Sequence, residues 1–192
     1  MNVLLLGPQG AGKGTQARRI AADYGLPHIA TGDILRQAMA DDTPLGRKVK
    51  PIYDRGALVP DDLMIELIRD RLSDPDTEDG FILDGFPRTF FQAEALDAML
   101  RAIDKQLDLV LELQVPDEVA VERLTKRAAL EGRPDDTPEA IRRRLALYHE
   151  ETEPLVEYYR SRGNVVGIHG DRSENEVFAE IQQALEQAGA VA

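Results

Sequence analysis

Residues 7 to 15 read Gly-Pro-Gln-Gly-Ala-Gly-Lys-Gly-Thr, and the chemistry open to such a run is the cradling of phosphate. Gly7, Gly10 and Gly12 place no side chain in the way, so successive backbone N–H groups can turn toward anionic oxygens while the next helix presents its positive end. Lys13 adds a full charge. The spacing fits the phosphate-binding pattern GxxxxGK, except that Gly14 stands where a hydroxyl is expected and the hydroxyl arrives one position later, on Thr15. That departure puts in question only a direct bond from a loop side chain to magnesium.

Three further stretches could carry chemistry. Ala30 to Arg36 reads ATGDILR, Gly56 to Asp61 reads GALVPD, and Asp84 to Thr89 reads DGFPRT. Thr31 and Asp33 have the residue types of helix caps, so a purely structural role is open to both. Asp84 closes an apolar run and is placed to hold magnesium through water. The segment from Arg123 to Arg144 carries seven basic residues against four acidic ones. Taken alone, that surplus is equally the mark of a solvated helix face laced with ion pairs.

The elements that must position these residues can be read from periodicity. Val3 to Leu6 is a continuous apolar run, as a strand covered on both faces requires. After the loop, Ala17, Ile20, Ala21 and Tyr24 recur at helical spacing over Gln16 to Tyr24. Four more strand-like runs follow at His28 to Ala30, Phe81 to Leu83, Leu107 to Val115 and Asn164 to Ile168. Strands alternating with helices predict a parallel sheet with ligands at its carboxyl edge. Thr137-Pro138 and the pair Ser173 and Glu176 are helix-start signals. The former predicts a helix over 138–160, which Pro154 must bend or break. Asp41 to Gly46 and Ser73 to Gly80 are expected to be loops.

Composition sets bounds. The 192 residues suffice for one domain with insertions. The net charge of −12 argues against nucleic acid or anionic membrane as partner. No apolar run approaches the roughly 20 residues of a membrane helix, and no cationic leader precedes the first strand. The absence of cysteine excludes disulfides and cysteine-ligated zinc, and a cytoplasmic location is expected. His28, His149 and His169 lack metal-ligand spacing, and the glutamates from Glu150 to Glu157 read as a solvated face.

Taken together, GPQGAGKGTQ, TGDILR, GALVPD, DGFPRT with Gln92, and the Arg123 to Arg144 region resemble the adenylate kinases, in order and over nearly the whole chain. The resemblance implies an α/β, P-loop NTPase-like three-layer fold with a five-stranded parallel sheet. It implies a helical AMP-binding insertion over 31–60 and a short lid over 128–136. It implies reversible, magnesium-dependent transfer of the γ-phosphoryl group of ATP to AMP, giving two ADP, by a monomer. By the same resemblance Lys13, Arg88, Arg123, Arg133 and Arg144 are catalytic. ATP is met by Gly10, Ala11, Gly12, Lys13, Gly14, Thr15, Arg123, Arg127, Gly170 and Arg172. AMP is met by Thr31, Gly32, Arg36, Ala57, Leu58, Val59, Gly85, Arg88, Gln92, Arg133 and Arg144. Asp84, and Asp33 with it, would hold magnesium through water, and there is no zinc site.

Thr31 and Gln92 match the family's adenine contacts, where pyrimidine monophosphate kinases typically carry alanine and asparagine. A UMP or CMP kinase is therefore the second reading. For Gln92, a surface glutamine on the helix after Thr89 is the plain alternative. A GTP switch would need NKxD and DxxG strings, and neither occurs. A scaffold without chemistry would lack a lysine or arginine that is here in place.

Overall fold

The computed structural model describes residues 1–132 and 136–189. Among them, β1 (Asn2–Leu6), β2 (His28–Ala30), β3 (Phe81–Asp84), β4 (Leu109–Gln114) and β5 (Val165–His169) form one parallel sheet in the order β2-β3-β1-β4-β5. The alternation of the strands settles which side chains go where. Leu4 pairs with Leu83 and Val110, and these three join one core with Ile29, Phe81, Leu96 and Tyr159. Val3 and Leu5, one residue out of phase, join the opposite core with Ile82, Leu111 and Ile181. Both faces are thus sealed, as the unbroken apolar run of β1 predicts.

The helices that seal them are α1 (Lys13–Tyr24), α2 (Thr31–Ala40), α3 (Pro44–Tyr53), α4 (Asp61–Leu72), α5 (Phe90–Ala102), α6 (Asp117–Glu131), α7 (Pro138–Leu147), α8 (Pro154–Arg160) and α9 (Glu174–Gly189). The α1 and α9 helices lie on the Val3 and Leu5 side. Ser173 and Glu176 form the expected reciprocal cap, the Ser173 backbone N–H donating to Glu176 Oε2 (3.1 Å). The Thr137 hydroxyl accepts from the Ala140 N–H (3.1 Å) with Pro138 at the first helical position.

The helix expected over 138–160 is broken ahead of Pro154. Tyr148 to Thr152 widens into a π turn, in which the Glu153 N–H reaches back five residues to the Tyr148 carbonyl (2.8 Å). Proline has no N–H to offer, and the extra residue absorbs the mismatch before α8 restarts. Two other expectations need correction. The segment expected to loop over 41–46 is a loop only as far as Thr43, because the Thr43 side chain accepts from the Gly46 N–H (3.0 Å) and caps α3 at Pro44. The segment over 73–80 contains a 3-10 turn at Pro75–Thr77. Among the described residues, no helix is long and apolar enough to cross a membrane.

Candidate active site

The carboxyl edge of the sheet opens into a cleft of about 560 Å³. The loops that line it follow from the ends of the strands. Gly7 to Gly12 leaves β1, Gly85 to Arg88 leaves β3 and Gly170 leaves β5, its N–H donating to the Gln114 carbonyl at the end of β4 (2.8 Å). Close approach explains the glycine at position 10. Its φ is 86°, and a Cβ there would stand 2.5 Å from the Ala120 carbonyl oxygen of α6.

Helix α1 begins at Lys13, three residues earlier than the apolar spacing indicates, so the loop runs straight into its N-terminus. Gln16 is buried there, its Nε2 donating to the Glu174 carbonyl (3.1 Å). The Lys13 Nζ donates to the carbonyls of Gly7 (2.7 Å) and Pro8 (2.9 Å). Burial of the ammonium lowers its pKa to about 8, against the opposing pull of Asp84. Asp84 lies across the same space. Burial pushes its carboxyl up, but the His28 imidazole, 3.5 Å away, and the charges of Lys13 and Arg88 outweigh burial and hold it below the ordinary carboxylate value. An ionised carboxylate facing the phosphate loop fits a magnesium ion held through water. Among the described residues no three His, Asp or Glu converge as a metal cage of their own.

Arginines enter from four elements. Arg88 stands on the β3 loop, its Nε donating to the Gly85 carbonyl (2.7 Å). Burial, with Arg144 and Arg36 nearby, pulls its pKa below the usual guanidinium range. Arg36 of α2 donates to the Tyr53 hydroxyl (2.5 Å) and pairs with Asp33. Arg144 of α7 donates to Asp136 Oδ1 (2.8 Å) and to the Tyr53 carbonyl (3.3 Å), with its guanidinium over the Tyr53 ring. Arg127 of α6 grips the other oxygen of Asp136, Nε to Oδ2 at 2.8 Å. Asp136, with a fully buried side chain, therefore couples two helices that bear arginine. Arg123 lies over the phosphate loop, 3.5 Å from the carbonyls of Gly10 and Ala11. Thr152, in the π turn, donates to the Arg88 carbonyl (2.8 Å) and ties that turn to the β3 loop.

Most of the residues singled out in the sequence line this one cleft: Gly10 to Thr15, Gly32, Asp33, Arg36, Leu58, Asp84, Gly85, Arg88, Arg123, Arg127, Arg144, Gly170 and Arg172. Arg133 lies outside the described residues, as does part of the segment over 128–136. Thr31 and Gln92 sit immediately behind the lining, both buried, and Val59 is in the core. Neither Thr31 nor Asp33 caps a helix. The cap position of α2 is Ala30, the Thr31 hydroxyl turns to the Asp84 carbonyl (3.3 Å), and Asp33 is occupied by Arg36. The plain alternative for Gln92 falls as well, because its side chain is 2% exposed and tied at both ends.

The model of the family described as adenylate kinase matches residues 5–164. Adenylate kinase of Thermus thermophilus is 51% identical over 183 residues, covering 95% of this chain and 96% of the relative. That of Cyanothece sp. is 49% identical over 185 residues, covering 96% and 95%, and that of Archaeoglobus fulgidus is 43% identical, covering 97% and 99%. The chain belongs to the adenylate kinase family. A cleft with a phosphate loop at one end and arginines converging on its middle is what an adenylate kinase needs, since two polyanions must be brought together against their repulsion.

Some of the machinery is silent in the sequence. Tyr53 is an ordinary aromatic at the end of α3, yet it supports both Arg36 and Arg144. Asp136 is one acid among many in the chain. His28, which lacks metal-ligand spacing in the sequence, faces Asp84, while His149 and His169 pair with surface carboxylates.

Proposed function

We propose that this cleft carries out ATP to AMP phosphoryl transfer with Lys13, Arg88, Arg123, Arg133 and Arg144 compensating charge on the transferring group and Arg127 binding ATP. The observation that carries the reading is the convergence of Lys13, Asp84, Arg88 and Arg144 on one space between the phosphate loop and the α2–α3 helices.

The acceptor is a phosphate monoester with a second pKa near 6, so it is mostly a dianion at neutral pH and needs no protein base. The chain's task is positional and electrostatic. ATP lies with its β- and γ-phosphates on the N–H groups of residues 10 to 15, where Lys13 exchanges the carbonyls of Gly7 and Pro8 for phosphate oxygens. Arg123 covers the adenine side, with Gly170 and Arg172 on the rim. Asp84 and Asp33 would hold a magnesium ion through water, and the ion would supply neutralisation of phosphate charge. AMP enters between Gly32, Arg36, residues 57–59 and Gly85, with Arg36 and Arg88 on its phosphate and Thr31 and Gln92 reading adenine. Residues 31–60 form the AMP-binding insertion and residues 128–136 the lid, and closure of both excludes water as a competing acceptor. A monomer acting in the cytoplasm completes the reading.

The test is to offer AMP, CMP, UMP and GMP separately with ATP and magnesium, and to measure diphosphate formed alongside phosphate released without acceptor. Selective use of AMP is expected. Preference for a pyrimidine acceptor would overturn the roles of Thr31 and Gln92, and hydrolysis without transfer would overturn the reaction.

A further inference from the structure

The Gln92 side-chain amide is held in one orientation by two partners of opposite demand. Its Oε1 accepts the Arg88 backbone N–H (2.8 Å), and its Nε2 donates to Asp61 Oδ1 (2.7 Å). A backbone N–H can only donate, and an ionised carboxylate can only accept. Reversing the amide would set N–H against N–H and carbonyl against carboxylate in a place 2% exposed, so the assignment of its oxygen and nitrogen is forced. Asp61 is itself fixed. It stands in the first turn of α4 and also accepts the Thr89 hydroxyl (3.0 Å), and the same hydroxyl caps α5 by accepting the Gln92 N–H (3.3 Å).

An amide offers two hydrogens and two acceptor positions, and here one of each is taken. One N–H and one lone pair remain, in fixed polarity. The edge they complement presents an acceptor nitrogen beside an amino group, as adenine does with N1 and N6. A 6-oxo purine presents the reverse, N1–H beside a carbonyl oxygen. We propose that Asp61 is a specificity-determining positioning residue, which polarises Gln92 so that the acceptor site takes a 6-aminopurine and rejects a 6-oxopurine. This rests on the acceptor reading given above, in which Gln92 faces the base. It also ranks the pyrimidines, since cytosine shares the adenine polarity and uracil does not.

The probe is the pair AMP and IMP, which differ only at that edge. The ratio of their kcat/KM values is measured in the wild type and in Asp61→Ala, Asp61→Asn and Gln92→Ala, with thermal unfolding recorded for each. In Asp61→Ala the ratio should fall about tenfold, the weight of one hydrogen bond to a charged group, with the KM for AMP rising more than kcat falls. Asp61→Asn keeps an oxygen acceptor for Gln92 and should keep the wild-type ratio, so the proposal stays testable even where the alanine variant does not fold. A collapsed ratio in Gln92→Ala with a wild-type ratio in Asp61→Ala would overturn the role of Asp61 and leave the acceptor reading intact. An unchanged ratio in Gln92→Ala would overturn both. Equal loss in the Asn and Ala variants would also overturn the proposal, because removal of the acceptor would then not be the cause.

Discussion

Replacing Asp136 with alanine should damage stability and turnover together. Its carboxylate is fully buried and holds Arg127 through Oδ2 and Arg144 through Oδ1. Breaking a buried pair from one side leaves a charge in a poor environment and costs about 3–5 kcal/mol. The two partners do not suffer equally. The Arg127 side chain is 30% exposed and can take water in exchange, whereas that of Arg144 is 8% exposed. Arg144 retains its bond to the Tyr53 carbonyl and its place over the Tyr53 ring, so the low end of the range applies, about 3 kcal/mol. For a chain of this size that corresponds to a fall in Tm of about 6–12 °C. Asp136→Asn keeps the shape and one acceptor oxygen, and should lose less. Both arginines also lose the group that aims them, so kcat should fall at least about tenfold while the KM for ATP changes less. Calorimetry and steady-state kinetics on the two variants decide the matter. A Tm within about 2 °C of wild type for Asp136→Ala would show that the carboxylate does not carry the load assigned to it. A large Tm loss with unchanged kcat would confine its role to the fold.

Arg88→Ala should lower kcat about 10²–10³-fold, as loss of one donor to a transition-state anion does, while Tm stays level or rises because a buried guanidinium near Arg36 and Arg144 is removed. Near-normal turnover would refute that assignment. The Lys13 pKa of about 8 implies that kcat/KM for ATP bends downward above that pH as the ammonium is lost, and that Lys13→Arg, charged throughout, shows no such bend. The same group bears on stability. Its folded pKa lies below the ordinary 10.5, so charged Lys13 opposes folding at neutral pH and the cost fades as pH rises past 8. His149 runs the other way. Hydrogen bonds to Glu153 and Asp117 raise its pKa, so its contribution is present below the unfolded value and is lost as pH rises through the folded one. The ring is 42% exposed, which limits the gain to about 1 kcal/mol. His149→Gln should therefore lower Tm more at pH 5.5 than at pH 8.5, and equal losses at the two values would refute the pairing.

Much of this architecture is legible in the sequence because it follows from burial on both sides. A run such as Val3 to Leu6, without polar alternation, has no place except the middle of a covered parallel sheet, and the glycine loop after it must then sit on the carboxyl edge. The break ahead of Pro154 was equally dictated, since a missing N–H has a local effect. What escapes the sequence is local choice overruled by a distant partner. Thr31 has the chemistry of a cap, yet β3 ends beside it and offers the Asp84 carbonyl instead. Thr43-Pro44 is the same start signal as Thr137-Pro138, hidden among turn formers. Gln92 looks like a surface residue until α4 brings Asp61 to its amide. Asp136 carries no signal of its own, because its importance lies entirely in the two helices that meet at it.

The arginine-lined cleft sits in a chain whose net charge is −12. A polyanion diffusing toward the molecule is repelled by the net negative charge, whereas Lys13, Arg36, Arg88, Arg123, Arg127, Arg144 and Arg172 gather positive charge at the rim of the sheet. On the proposed function, an acidic exterior around a basic cleft would favour phosphate compounds arriving at the cleft over their resting on the surrounding surface.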